Sequence, residues 1–430
     1  MSQPGSHQHP DLKAVPKDSS SNTSGKTSSP LSMRYLVRAL VKYRASDLHL
    51  KVGRPPLFRV NGSLVPAKLH ELDQYQVESI IFSIMSDRQK EELSRKRQVD
   101  LSFAMAELGR FRANIYYQRG TLSCAIRVIP FSIPSLSELG MPPVLKELCT
   151  RPHGLILITG ATGCGKSTTL AAMIQEINEN NPVHILTLED PIEFLHHDKK
   201  ATVTQREVGT DCLSLDDGFY AGLRQDPDVI MIGELRDYKM IQLAMTAAES
   251  GHLVLSTLHT NDARSTIDRI LEVFPPESQN QARTQLSSSL LGIIAQQLVV
   301  RSNGDGRVAA CEVLINSPTI ASYILKQNFD KINDAIANSN SYYQMQTMNQ
   351  ALERLVRAGV ISTEEAIKST SSADDLKLSL SGMVRGEGYQ VAGEFELDRS
   401  AGAAPTDEDT GLTNFNDLIS PKNSDSPDDQ

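Results

Sequence analysis

One stretch restricts the possible folds of this chain more than any other: the apolar run GLILIT at 154–159, the loop GATGCGKS at 160–167 and the segment TTLAAMIQEIN at 168–178. The loop matches G-x-x-x-x-G-K-[ST] and stands where that pattern has physical meaning, after a strand-like run and before a segment with helical spacing. A chance match on a glycine turn would lack those flanks. Glycines let successive backbone N–H groups turn inward around a phosphate, and the helix N-terminus adds its partial positive charge. Lys166 is placed to reach the β- and γ-oxygens, and the Ser167 hydroxyl to ligate Mg2+. Gly160, Ala161, Thr162, Gly163, Cys164, Gly165, Lys166, Ser167 and Thr168 are therefore the expected nucleotide-binding residues. Cys164 admits two readings, a thiol activated by the lysine and the helix N-terminus or a small residue filling a variable loop position, and the second is expected. Nothing in this stretch reads the base.

Binding alone does not hydrolyse a nucleotide; a carboxylate must hold or activate water near the terminal phosphate and help organise the metal. Two apolar runs downstream end in acids, HILTLEDPIE at 184–193 and DVIMIGE at 228–234. Ligands of open α/β sheets collect at the carboxyl ends of the strands, so Glu189 and Glu234 are expected to converge there. A single acid or base at a strand end is ordinarily a cap or a loop charge, and Glu193, Arg236 and Asp237 taken singly are left in that class.

Around these runs, strand-like segments at 183–188, 229–232 and 252–256 alternate with helical patterns, which predicts an α/β core with a largely parallel sheet. From residue 277 the spacing predicts helices over 279–298, 319–327, 344–358 and 362–368, a helical C-terminal subdomain. Upstream, a helix over 33–43, strand signals at 48–52, 56–60 and 63–66 with a turn at Asn61-Gly62, a helix over 73–96 and strands at 100–103, 109–117 and 121–129 predict a smaller α+β domain. The expected organisation is that domain at 31–130, a proline-punctuated linker with one short helix at 131–143, and the nucleotide-binding domain with its helical subdomain at 144–384.

Residues 1–30 and 385–430 are too polar to offset chain entropy and are expected to be disordered tails; Leu412, Phe415, Leu418 and Ile419 form a small apolar group in a stretch otherwise expected to solubilise. Eleven acidic residues against three basic give 385–430 a charge of −8 out of the total of −9, so the body is near neutral and carries no footprint for nucleic acid. No apolar run approaches the roughly 18 to 20 residues of a membrane span, and MSQPGSHQHP at the start is not a secretory signal. The expectation is a cytoplasmic protein without membrane insertion. Five cysteines, odd in number and without a CxxC pair, are expected to be reduced thiols.

Taken together, SDLHL at 46–50, RFRANIYYQRG at 110–120, the phosphate loop, EDPIEF at 189–194, RQDPDVIMIGELRD at 224–237 and TAAESGHLVLSTLHTNDA at 246–263 resemble the secretion ATPase superfamily, and within it the PilT family of type IV pilus retraction (twitching-motility) ATPases. The resemblance covers about residues 33–383 and implies a PAS-like N-terminal domain, a RecA-like ATPase domain and a homohexameric ring at the cytoplasmic base of the pilus machine, peripheral to the inner membrane, working on a platform protein with ATP and Mg2+. It also implies roles: Glu234 as the glutamate that activates water, Glu189 as a catalytic or Mg2+-linked acid, and His252 and His259 as γ-phosphate sensors or couplers. Hydrolysis between subunits needs a cation in the transition state, and by family analogy Arg112 and Arg127 are the candidates, with Arg119 and Arg110 behind them. His153, His196 and His197 match nothing in the family and are expected to be structural.

One departure is clear. Where retraction ATPases carry AIRNLIRE, this chain reads TIASYILK at 319–326, with Ala321 and Leu325 in place of the arginines and Lys326 in place of the glutamate. Hydrolysis is unaffected by that change, but coupling to the pilus is its natural target, so an accessory paralogue beside a main motor, or an ATP-binding scaffold, is the alternative. A pilus extension or type II secretion ATPase is disfavoured by the lack of a paired-CxxC module, and a DNA translocase by the near-neutral body.

Overall fold

The computed structural model describes residues 31–382 apart from positions 61, 130, 131 and 305. The expected disordered tails, the apolar group at 412–419 and position 61 of the expected turn lie outside the described residues.

The N-terminal part runs α1 (Met33–Lys42), β1 (Asp47–Lys51), β2 (Leu57–Val60), β3 (Ser63–Pro66), α2 (Gln74–Phe82), α3 (Asp87–Lys96), β4 (Gln98–Met105), β5 (Gly109–Gln118) and β6 (Thr121–Ile129). The single helix expected over 73–96 is two, because Ser86 accepts from the Gln89 N–H and starts a second capping box directly after α2 ends. The strands form one sheet in the order β3-β2-β1-β6-β5-β4, antiparallel throughout. Period-two alternation gives it two faces. Leu48, Phe58, Ile126, Ala113 and Leu101 point into the core made with the helices. On the other face one transverse row runs Arg59, Asp47, Arg127, Arg112, Ser102, each opposite the next.

Residues 132–143 form turns rather than the expected short helix; helix begins only at α4 (Val144–Cys149). Prolines restrict the residues before them, and Leu136 and Met141 are buried in the core of the following domain, so this segment is anchored to that domain. That domain continues with β7 (Gly154–Thr159), α5 (Lys166–Asn180), β8 (His184–Glu189), β9 (Thr202–Glu207), α6 (Leu215–Gly222), β10 (Val229–Ile232), α7 (Tyr238–Glu249), β11 (Leu253–Leu258), α8 (Ala263–Glu272), α9 (Gln279–Ser289), β12 (Leu290–Val300) and β13 (Arg307–Ile315). The sheet order is β13-β12-β7-β11-β10-β8-β9, parallel except for β13. Alternate residues of one strand serve opposite cores: Leu155 and Leu157 face α7, α8 and α9, while Ile156 and Ile158 face α4 and α5. Burial on both faces is what makes β7 a continuous apolar run.

The expectation of helix over 279–298 is corrected. Helix α9 stops at Ser289, and 290–300 is a strand between β7 and β13. The mostly apolar segment LLGIIAQQLVV carries no period that separates strand from helix; the open edge of β7 supplies the missing information. The C-terminal helices α10 (Pro318–Lys326), α11 (Ile332–Asn338), α12 (Asn340–Tyr343), α13 (Met348–Arg357), α14 (Thr363–Ser369) and α15 (Ala373–Leu380) follow. Leu352, Ile361, Ala366 and Leu376 close over Val299, Val308 and Ala310 of the β12–β13 hairpin. The architecture is α/β, with a smaller α+β sheet domain first and helices last.

Candidate functional site

The phosphate loop leaves β7 at Gly160, whose φ of +139° excludes ordinary side chains and whose Cβ would stand 2.3 Å from the Gln296 carbonyl oxygen. Gly165, at φ +93°, is the N-cap of α5, so the unbonded N–H groups of the first turn and the positive end of that helix face the loop. Lys166 is buried and folds back, donating from Nζ to the carbonyls of Gly160 (2.8 Å) and Ala161 (3.1 Å). Ser167 is exposed at the same helix start. Mg2+ prefers oxygen ligands and keeps waters and substrate phosphates among them, so one hydroxyl at the phosphate loop, with acids after β10 and β8 on the same carboxyl edge of the sheet, fits it without a dedicated cage. Cys164 is buried, and burial pushes its thiol up, against the opposing pull of Lys166; the loop position is filled by a small side chain, as expected, not by an activated thiol.

From Lys166 a line of polar contacts crosses the carboxyl edge of the sheet. Lys166 Nζ lies 3.3 Å from His259 Nδ1, and His259 Nε2 lies 3.1 Å from Glu234 Oε1. An ammonium can only donate, so Nδ1 accepts and the proton of the neutral ring sits on Nε2, facing the carboxylate. Arg236 Nε continues the line to Glu234 Oε2 at 3.2 Å and Nη1 to Asp190 Oδ2 at 3.4 Å. These groups follow β11, β10 and β8 in turn, each held where its strand ends: Leu235 N–H donates to Thr257, the Thr257 hydroxyl to Gly233, and Gly233 N–H to Leu188.

Glu189 is arranged differently from its neighbour Asp190. At the last position of β8 it shares a face with Thr187 and is buried, accepting from the Thr187 hydroxyl (2.7 Å), Gln205 Nε2 (3.0 Å) and the Glu193 N–H (3.3 Å). Burial pushes its carboxyl above the ordinary range, only partly offset by those bonds. The structure links Glu234 to Lys166 through His259; it does not link Glu189 to the loop, and β10 and β11 stand between β8 and β7. Glu234 is thus joined to the loop by a line of contacts, while Glu189 is held by its own set of donors at the end of β8.

His252 lies at the opposite edge of the sheet from His259. It precedes β11 while His259 follows it, so roughly 20 Å of strand separates them at about 3.3 Å per residue. Its ring nitrogen is engaged with the Ala247 carbonyl at 3.0 Å, on the amino edge of the sheet, away from the phosphate loop of its own chain.

Arg127 and Arg112 stand opposite each other on the exposed face of the N-terminal sheet, Arg127 Nε donating to Asp47 at 2.8 Å and Arg112 Nη2 4.0 Å from Asp100. Arg112 also lines a cavity of 410 Å³ with Asp100, Ser102, Asp190 and Glu207. Arg110 turns to the second domain and donates to Glu207 Oε2 at 3.0 Å, where Ser102 Oγ (3.2 Å) and the Ile192 N–H (3.0 Å) also donate. His196 is half-buried, its imidazole pushed down to about 4 chiefly by desolvation, as suits a structural histidine. Glu207 and its strand β9 escaped the sequence; the β-branched run TVT was the available signal.

A sheet of this order with a glycine loop and helix N-terminus at its centre defines a P-loop α/β protein built to hold a phosphorylated nucleotide. Residues 24–368 match the family described as Type II/IV secretion system protein, and the chain belongs to that family. It is 44% identical over 325 residues to the type IV pilus retractation ATPase PilT of Pseudomonas aeruginosa, covering 76% of this chain and 94% of that protein. Against the type IV pilus ATPase PilU of the same organism it is 39% identical over 345 residues, 80% of this chain and 90% of the other. The crystal structure of the pilus retraction motor PilT with bound ADP matches with a TM-score of 0.76 at 42% identity, covering 81% of this chain and 99% of that one. No helix among the described residues is long and apolar enough to cross a membrane.

Proposed function

We propose that this chain is the ATP-hydrolysing subunit of a hexameric motor that drives type IV pilus retraction, acting from the cytoplasm on the platform protein at the inner-membrane base of the pilus. The observation that carries the reading is the contact line Lys166–His259–Glu234, which joins a phosphate-binding lysine to a carboxylate in a chain that covers 94% of the length of a retraction ATPase. Gly160 to Thr168 hold the phosphates, with Lys166 leaving its two carbonyl acceptors for the β- and γ-oxygens. Glu234 orients and deprotonates the attacking water, and His259 senses the γ-phosphate by exchanging its Lys166 contact. Glu189 is the second acid, catalytic or Mg2+-linked, held in place at the end of β8 by the Thr187 hydroxyl, Gln205 and the Glu193 N–H. Ser167, with Glu189 as the candidate acid, would hold Mg2+, which when bound neutralises charge on the β- and γ-oxygens.

Arg112 and Arg127 are offered to a neighbouring protomer. The two guanidinium groups stand opposite each other with 71% (Arg127) and 44% (Arg112) of their side chains exposed, available to a γ-phosphate brought by the next subunit. Deleting the gene in its host and scoring pili and twitching tests the reading: hyperpiliated, non-motile cells are expected, and bald cells would overturn it in favour of extension.

A second reading, an accessory paralogue assisting another retraction ATPase, is favoured by α10. Ile320 and Ile324 are buried, so that helix packs, but Leu325 stands 48% exposed where the family motif has an arginine. Deletion without a piliation phenotype, with loss of force only when a second retraction ATPase is present, would select this reading.

A further inference from the structure

We propose that Gln296, on the strand beside the phosphate loop, is a positioning residue that sets the loop for a nucleoside diphosphate before any nucleotide arrives; the proposal rests on the nucleotide-binding reading above. Strand β12 runs parallel to β7 with Ala295 opposite Thr159, so the next residue, Gln296, lies beside Gly160 where the loop begins. Its side chain is 4% exposed and makes two bonds. Nε2 donates to the Cys164 carbonyl at 2.7 Å, and Oε1 accepts from the Thr169 hydroxyl at 2.8 Å. A carbonyl can only accept, so the amide orientation is determined: the nitrogen faces Cys164 and the oxygen faces Thr169.

The consequence lies in peptide geometry. In a trans peptide the C=O and the following N–H point in opposite directions. Holding the Cys164 carbonyl against Gln296 turns the Gly165 N–H to the other side of the loop, toward the concavity where a phosphate oxygen is to be held. The contact is close enough to dictate sequence as well: a Cβ at Gly165 would stand 2.9 Å from Gln296 Nε2, and one at Gly160 2.3 Å from the Gln296 carbonyl oxygen. Thr169, in the first turn of α5, ties the same amide to the helix whose N-terminus faces the anion. One buried side chain thus joins loop, helix and neighbouring strand, and loop amides aimed in advance lose less entropy on binding.

The test uses the purified full chain, ADP as ligand, and the variants Gln296→Met, Gln296→Glu and Thr169→Val. Met conserves volume without a donor; Glu keeps the acceptor but turns a carboxylate toward the Cys164 carbonyl; Val leaves Gln296 in place and frees its amide to rotate. Gln296→Met is expected to weaken ADP binding about tenfold or more and to raise KM for ATP while kcat at saturation stays within about threefold. Its melting temperature without nucleotide is expected within a few degrees of the parent chain, with a smaller rise on adding ADP. Gln296→Glu is expected to lose at least as much affinity, and Thr169→Val about threefold. ADP binding within twofold of the parent in Gln296→Met overturns the proposal; should that variant not fold, unchanged affinity in Thr169→Val overturns it. A parent chain that itself fails to bind ADP overturns the nucleotide reading instead.

Discussion

Truncating Arg110 to alanine tests how the two sheets are held together. Glu207 is 4% exposed and sits at the far edge of the second sheet, yet its Oε2 accepts from Arg110 and Ser102 of the first domain. Removing one partner of a buried ion pair costs about 3 to 5 kcal/mol, because the remaining charge stays desolvated. Here the lower end applies. Arg110 is 21% exposed, and Glu207 keeps the Ile192 N–H and the Thr210 hydroxyl as donors. The expected loss is about 3 kcal/mol. Glu207→Gln retains shape without the charge, and the double variant should cost less than the sum of the singles by about 1 to 2 kcal/mol. The assay is chemical denaturation of the full chain, reading the first transition, since two separate cores need not unfold together. A loss in Arg110→Ala within about 0.5 kcal/mol, the level of a neutral surface change, or strictly additive singles, would refute the bridge.

Glu234→Gln removes the carboxylate that faces His259 and should lower ATP turnover at least about a hundredfold while ADP still binds by calorimetry; normal turnover would defeat the assignment. Arg112→Ala should lower turnover of the assembled protein without abolishing nucleotide binding, and unchanged turnover at saturating ATP rejects a role in trans. Because burial raises the folded pKa of Glu189, its stabilising contribution is full below the unfolded carboxylate value, about 4.3, and is lost as pH rises through the raised folded value. Glu189→Gln, always neutral, should therefore gain in melting temperature relative to the parent as pH rises through that window; a difference independent of pH contradicts the buried-carboxyl account. Cys164 should react with iodoacetamide far more slowly than Cys212, which is partly exposed, and comparable rates would contradict the burial of the loop thiol.

What the sequence by itself determined is local and short-range. The strand, loop and helix from 154 to 180 are written in contiguous residues, because a run of apolar residues, positive-φ glycines and helical spacing each act over a few positions. The acid-terminated runs at Glu189 and Glu234 were legible for the same reason. Tertiary structure decided everything that depends on which strand lies beside which. Residues 290–300 became a strand because β7 had an edge to fill, and only that placement put Gln296 against the phosphate loop. Adjacent acids of one turn, Glu189 and Asp190, were sent to opposite surroundings by the alternation of a strand and the identity of its neighbours. His252 and His259, seven positions apart and equal as letters, were separated because an extended chain travels the full width of the sheet between them. Contacts between residues distant in sequence depend on sheet order, and sheet order is settled by the burial of whole faces, not by any single residue.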